Sequence, residues 1–462
     1  TDHSGPKMTI VQGMSTSTLA CCPFVTNAPM SIGAHGSTLA RCERMAQKPF
    51  SPGDQCSLSR PFERLLSMKK VRIKGKNKVV ITIAITAAMG VIARADDSTL
   101  KVFWKDSLRL ESVDGKNKLR IGGRIHWDNA FFADDEFDGE RLDDGDVFRR
   151  TRLYVSGQIQ ERYDFKMQYD FANGSAAFKD VNFGIRDLPV LGNIRIGQFK
   201  EPFSLEEIAS SNDITAIERA NVNHLVPSRS AGVMIYNDYA DSRVTSAVGL
   251  FRGADDKWGN YSGNGYAATA RVTGLPYLSD DGSQLVHLGV GYSHRADDTA
   301  TYKLSSDHSM APSTKHVIDD VDNTSLLGLE TALKLGSFSV QSEWVQADVD
   351  APFGGDLDGC YVQASYVLTG ESRGYDKATG AFKGVSPGSN FLKEGGLGAW
   401  EASLRWSTLD YSDLPAGKEI DSWTVGLNWY LNRNVRALFN YAHADLGGDS
   451  MGVFATRFQF AF

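Results

Sequence analysis

The chain has 462 residues, 42% of them hydrophobic, with 49 Lys/Arg against 56 Asp/Glu and a net charge of −7. Mean hydropathy is −0.28, and the length allows two or three domains. An acidic balance excludes nucleic acid as a partner, because that role needs a net basic face.

Residues 1–67 hold four of the five cysteines (Cys21, Cys22, Cys42, Cys56) and show neither helical nor strand periodicity. They read as an upstream unstructured segment that the mature protein lacks. From Met68 the sequence MKKVRIKGKNKVVITIAITAAMGVIARADD opens with Lys69, Lys70, Arg72, Lys74, Lys76 and Lys78. An apolar run from Val79 to Ile92 follows, and then Ala93-Arg94-Ala95. That order predicts a cleaved signal peptide over 68–95, with Asp96 as the mature N-terminus. The apolar run spans 14 residues, too few for a helical anchor, which needs about 20. The first 95 residues hold 13 Lys/Arg and 4 Asp/Glu, so the remainder carries 36 basic and 52 acidic side chains, net −16. Only Cys360 stays with it, which excludes an internal disulfide.

Beyond the signal no apolar stretch reaches the length of a membrane helix. What recurs is period-2 alternation. In LRIGGRIHWDNAFF, Leu119, Ile121, Ile125, Trp127 and Phe131 share one face, while Arg120, Arg124, His126 and Asp128 share the other. VHLGVGYSH, FSVQSEWV, YVQASYVL, AWEASLRWS and SWTVGLNWY repeat the pattern, as successive side chains of a strand point to opposite faces. A soluble sandwich and a membrane barrel both alternate. Strand lengths of about nine to eleven residues favour the barrel. So do aromatics at strand ends (Trp127, Phe131, Trp400, Trp429) and connections that alternate between tight (LNRN) and long (ADDEFDGERLDDGD). The reading is all-β: a 16-stranded antiparallel transmembrane barrel over 119–462, in the bacterial outer membrane and in contact with its lipid. Residues 96–118 form an N-terminal periplasmic segment.

The final FATRFQFAF sets Phe454, Phe458, Phe460 and Phe462 on one parity against Arg457 and Gln459. A closed barrel pairs its last strand with its first, leaving no free edge. The terminal Phe462 also resembles the C-terminal signature of bacterial outer-membrane proteins, which implies recognition by the barrel-assembly machinery.

Sixteen strands enclose water rather than a packed core. Alternation in FRRTRLYVSGQ puts Phe148, Arg150 and Arg152 on one face, and the arginines inward; Arg120, Arg124, Lys166, Arg195, Arg405 and Arg457 follow the same logic. Lipid-facing arginine would cost about 2–4 kcal/mol at the bilayer midplane. Asp128, Asp164, Asp170, Glu343 and Glu401 also face inward. After strand five the alternation stops for FKEPFSLEEIASSNDITAIERANVNHLVPSR, residues 199–229. Ser204-Leu205-Glu206-Glu207 is a capping box that starts a short helix. A long loop after strand five resembles the third loop of general porins, which implies an inward-folded constriction loop with Arg219, His224 and Arg229 as its positive groups.

The loop-three stretch IGQFKEPFSLEEIASSNDITAIERA, with VFRRTRLYV, YVLTGESRGY, LGAWEASLRWSTLD and TVGLNWYLNRNVRALFNYAHAD, resembles the phosphate-selective porin O/P family over about residues 119–462. That resemblance implies a homotrimer of barrels passing inorganic phosphate or other small anions along an arginine ladder to a basic constriction. It places ladder arginines at Arg124 and Arg150, a constriction arginine at Arg219, and further basic positions at Arg271 and Arg295. The sequence departs from the family in having SSND, with Asn212 and Asp213, where phosphate-selective members place a loop lysine. It departs again in the acidic QADVDAPFGGD after strand eleven.

The expected function is passive anion uptake, of phosphate or polyphosphate, with Arg120, Arg124, Arg150 and Arg152 as the ladder and Lys166 as a further basic group. Guanidinium stays charged and offers a planar fork to oxyanions. A general or weakly selective porin is the competing reading. A barrel enzyme would need a Ser–His or Asp–His pair at the lipid interface. The scattered histidines carry no nucleophile motif. No zinc or phosphate-loop spacing occurs, so no metal or cofactor is expected.

Overall fold

The computed structural model describes residues 100–172, 174–252, 265–306 and 308–462. The readings on 1–67 and 68–95 lie outside them. Sixteen strands form the barrel: β1 Lys118–Phe132, β2 Gly145–Ile159, β3 Tyr163–Asp170, β4 Ala177–Leu188, β5 Gly192–Lys200 and β6 Arg229–Tyr239. Then come β7 Val244–Arg252, β8 Tyr266–Leu278, β9 Gln284–Ala296, β10 Asn323–Leu335 and β11 Phe338–Asp350. The circle is completed by β12 Asp356–Val367, β13 Ala399–Asp410, β14 Glu419–Tyr430, β15 Val435–Leu446 and β16 Asp449–Ala461. Each strand pairs antiparallel with the next, and β16 pairs with β1 from Val453↔Phe132 to Ala461↔Arg124.

Polarity is inverted relative to a soluble protein, which is what lipid outside and water inside require. In β10, Leu327 and Leu329 are exposed while Thr324, Glu330 and Lys334 are buried. Phe454, Phe458 and Phe460 of β16 are likewise on the outer face. Phe454 stacks on Phe131 at 6.4 Å and Phe458 on Trp127 at 5.9 Å, across the closing seam. Phe462 extends the closure, since its N–H donates to the Gly123 carbonyl and its carbonyl accepts from the Gly123 N–H. Gly122 is needed at this seam: a Cβ there would lie 2.3 Å from the Phe462 carbonyl oxygen and 2.4 Å from the Tyr154 hydroxyl.

Below Arg124 the edge of β1 is no longer covered by β16. A hairpin of Leu100–Trp104 and Leu108–Ser112 takes it, pairing Leu108–Glu111 with Lys118–Ile121. Residues 100–112 of the N-terminal segment therefore extend the sheet.

Both chain ends of the barrel lie at the end with tight connections, such as 160–162, 336–337 and 431–434. The short-turn rule makes this the periplasmic end. One connection breaks the expected pattern. Residues 368–398, between β12 and β13, are at the turn end yet carry a hairpin, Arg373–Asp376 paired with Ala381–Val385. At the opposite end, the loops around Phe137, Tyr302, Ile318, Tyr411 and Leu414 pack with Phe203, Val222 and Leu225 of loop three into one apolar cluster. That cluster rests on Val345, Ala347, Leu357, Leu409 and Ile420, at the loop ends of β11 to β14. Among the described residues no helix is long and apolar enough to cross a membrane; strands do the crossing.

Candidate functional site

Loop three, residues 201–228, folds into the lumen, and its short helix α1 (Leu205–Ile208) is held by two caps. The Glu207 N–H donates to Ser204 Oγ at 3.1 Å. The N–H groups of Leu205 and Glu206 donate to the two carboxylate oxygens of Glu343 on β11, both at 2.8 Å. The Glu207 side chain does not close the capping box. It pairs with Arg219 at 3.1 Å and Lys200 at 3.5 Å. Burial alone would raise its pKa, but Arg219 and Lys200 outweigh burial and hold it at about 2.

The far side of the loop is clamped by its carbonyls. Arg436 donates to Ile214 at 2.8 Å and Thr215 at 3.0 Å, Asn428 to Thr215 at 2.9 Å, and Arg405 to Glu218 at 2.9 Å. Arg457 donates to the Ile217 carbonyl and pairs with Asp128 at 2.6 Å. Arginines of β13, β15 and β16 thus serve as scaffold, satisfying loop backbone that would otherwise be stranded away from water.

The turn-end insertion enters from the other side. Arg271 donates to the carbonyls of Thr379 and Gly380, at 2.9 and 2.8 Å, and pairs with Glu330 at 2.7 Å. Tyr375 hydrogen-bonds His287 at 2.7 Å, and Phe382 packs on Leu205 and Ala332. Loop three and the insertion therefore meet inside the lumen and pack it along much of β9 to β16, leaving a smaller cavity of about 450 Å³ beside Tyr430, Arg436 and Gln459.

Along β1 to β8 the lumen stays open, as a cavity of about 1120 Å³. Sixteen of its lining residues are Lys or Arg and four are Asp or Glu. It extends from turn-end residues such as Arg109, Lys118 and Arg186 to loop-end residues such as Arg149 and Lys179. The basic residues divide into two groups. Towards the constriction they are paired: Arg152 with Asp170 at 2.6 Å, Lys166 and Arg229 with Asp180 at 2.5 and 2.7 Å, and Arg149 and Arg150 with Glu218, both at 3.0 Å. Among the described residues no carboxylate lies within ion-pair distance of Arg109, Arg120, Arg124, Arg186 or Arg195. Arg120 bonds Ser107 at 2.7 Å and lies over the Tyr154 ring. Arg124 reaches Ser211 Oγ at 2.6 Å and Ser210 Oγ at 3.4 Å, the serines preceding Asn212. Arg195 bonds the Tyr236 hydroxyl at 3.2 Å. Burial raises the Asp213 pKa, an effect Arg124 opposes.

Of the residues singled out from the sequence, the cavity brings together Arg120, Arg124, Arg150, Arg152, Lys166, Arg219, Arg229 and Arg271. Three differ from expectation. Arg295 pairs with Glu201 at 3.0 Å and does not line the cavity. Arg271 lines it but is committed to Glu330 and the insertion. His224 is not a positive group: burial, with Lys303 nearby, lowers its pKa to about 4.

Arg149 was invisible to alternation. The register runs His126↔Arg150 and then Trp127↔Phe148, so Arg149 is the extra residue of a bulge. A bulge re-aims side chains. Phe148, expected inward, is instead 57% exposed on the lipid face, and Arg149 joins Arg150 on Glu218. The Arg-Arg dipeptide after an aromatic was the available signal, since one of two adjacent arginines must otherwise face lipid.

A closed sixteen-stranded barrel with apolar exterior, charged interior and an infolded loop defines an outer-membrane porin. The family model for phosphate-selective porin O and P matches residues 119–462, and the chain belongs to that family. Porin O of Pseudomonas aeruginosa is 25% identical over 439 residues, covering 82% of this chain and 98% of that protein. A protein of Caulobacter vibrioides is 25% identical over 378 residues, covering 77% of this chain and 74% of that one. The solved anion-selective porin of Comamonas acidovorans shares the fold, with TM-score 0.50 and 12% identity over 75% of this chain and 100% of that one.

Proposed function

We propose that the protein is a passive channel for small anions, inorganic phosphate among them, and that permeating ions follow the open wall of the lumen. The observation that carries this is the 16-to-4 excess of basic over acidic residues lining the cavity, with five guanidiniums lacking a carboxylate partner among the described residues. Such groups lower the barrier for an anion and replace part of its hydration shell, and several weak sites in series let it leave again. The chemistry requires no bond to break, so no catalytic group is assigned. The names of two relatives, Porin O and an anion-selective porin, agree with this reading. Export through the 68–95 signal peptide, recognition of Phe462 by the assembly machinery and a homotrimeric state belong to the same proposal.

A second reading, a weakly selective porin, draws on a specific feature: Arg149, Arg150, Arg152, Arg219 and Arg229 are already neutralised by Glu218, Asp170, Glu207 and Asp180. The deciding experiment is the reversal potential of the reconstituted protein across a KCl gradient, repeated with added phosphate. A chloride-favouring potential with phosphate block supports the anion channel. A potential near zero without block supports the weakly selective pore.

A further inference from the structure

Arg149 and Arg150 line the open cavity, whereas Glu218 and Arg457 do not border it. One carboxylate therefore stands outside the cavity and grips guanidiniums that face into it. Glu218 Oε1 accepts from Arg149 Nε at 3.0 Å, Arg150 Nη1 at 3.3 Å and Arg457 Nη2 at 2.7 Å. Its Oε2 accepts from Arg149 Nη2 at 3.3 Å and Arg150 Nη2 at 3.0 Å. This is the fork geometry in which arginine binds a free oxyanion. The Arg149 side chain keeps 36% of its surface exposed and Arg150 keeps 4%, so the cavity meets both cations after two N–H groups of each have been taken by one carboxylate.

Anchoring the loop does not by itself call for this carboxylate. Glu343 holds the start of α1, and Asn428, Arg436 and Arg405 hold backbone carbonyls from 214 to 218, none through the Glu218 side chain. What the carboxylate changes is charge. Without it, two adjacent pore-lining guanidiniums from the bulge would stand beside Arg152 as a concentrated cationic site. A conducting path needs sites that release their ion.

We infer that Glu218 is a specificity-determining positioning residue, which acts through Arg149 and Arg150 by neutralising them from outside the cavity, so that oxyanions pass the narrow part of the path instead of lodging there. The inference rests on the anion-channel reading.

The test is phosphate block of the KCl current through reconstituted wild type, E218Q and E218D, with inorganic phosphate as probe and single-channel conductance recorded in parallel. In E218Q the half-blocking phosphate concentration is expected to fall about tenfold, the equivalent of one charge-assisted contact. The chloride preference should rise with it, and E218D should return towards wild type. An unchanged half-blocking concentration with larger, noisier conductance would make Glu218 a loop anchor only and overturn the inference. Should E218Q not assemble, R149Q/E218Q removes one cation together with the carboxylate. Block within about twofold of wild type then supports charge compensation, and clearly weaker block overturns it. Cation preference in the wild type would instead sink the anion-channel reading itself.

Discussion

The two halves of the lumen use the same residue for opposite purposes. Along β1 to β8, guanidiniums such as Arg120, Arg124 and Arg195 line open space without a carboxylate partner among the described residues. Along β9 to β16, Arg405, Arg436 and Arg457 are each 3% exposed or less, spent on loop carbonyls and buried carboxylates. Both groups are inward-pointing arginines on alternating strands, and nothing local separates them. The counter-charges do: Glu201, Glu206, Glu330, Glu343 and Glu401 converge on the packed half, delivered partly by loop three, while Glu218 bridges the halves through Arg149, Arg150 and Arg457. An inward arginine in a barrel therefore offers its full charge to an ion only where the fold leaves it unpaired.

The largest effect expected from this division is on assembly. Arg457→Leu strands Asp128, which is fully buried, and removes one of three partners from Glu218. Breaking a buried pair in this way costs about 3–5 kcal/mol, read as a lower unfolding temperature in detergent and earlier heat-induced mobility shift. Stability near wild type would break the comparison. A matched pair sharpens it. Arg271→Gln leaves the buried Glu330 with only the His287 imidazole, at 3.1 Å, and should destabilise by about 3 kcal/mol with little change in ion preference. Arg124→Gln orphans no carboxylate, and should leave stability alone while lowering the anion-to-cation permeability ratio about fivefold, or about 1 kcal/mol. Reversed outcomes for the two would mean the open wall is not the path.

Acid acts on the boundary between the halves. Glu207, with its pKa held at about 2 against an ordinary 4.5, contributes stability that is complete above 4.5 and is lost as pH falls through 2. The conductance difference between wild type and Glu207→Gln should hold from neutral pH to pH 4.5 and close towards pH 2 as loop three loosens; closure beginning near pH 6 would contradict the Arg219–Lys200 lock. The smallest effect is expected at His224. Lowered to about 4, it stays neutral from neutral pH down to about pH 5. His224→Gln should leave the reversal potential unchanged over that range. Its depressed pKa stabilises the fold above 6.5, a contribution that fades as pH falls towards 4. A shift in reversal potential between pH 7 and about pH 5 that the variant abolishes would show the imidazole charged and facing the path.

Much of this was legible in the chain. The alternation of LRIGGRIHWDNAFF and FATRFQFAF predicts lipid and lumen faces that β1 and β16 adopt, down to the Trp127–Phe458 stack across the seam. The loop-three interruption and its Ser204 cap were equally readable, because capping is chemistry between residues three apart. The bulge at Arg149 was not, since alternation is counted along one strand and a bulge is defined by two. Nor was the 368–398 insertion, whose hairpin gains its place from Arg271 and His287 on strands about 100 residues away in sequence.

Strand number, closure and, outside the Arg149 bulge, face assignment were thus determined by the sequence alone, because lipid outside and water inside impose a period-2 rule on every crossing segment. Which arginines stay available to an ion was decided only by the tertiary structure. Charge availability depends on which carboxylate lies within a few ångströms, and those carboxylates arrive from loops and strands far away in the chain.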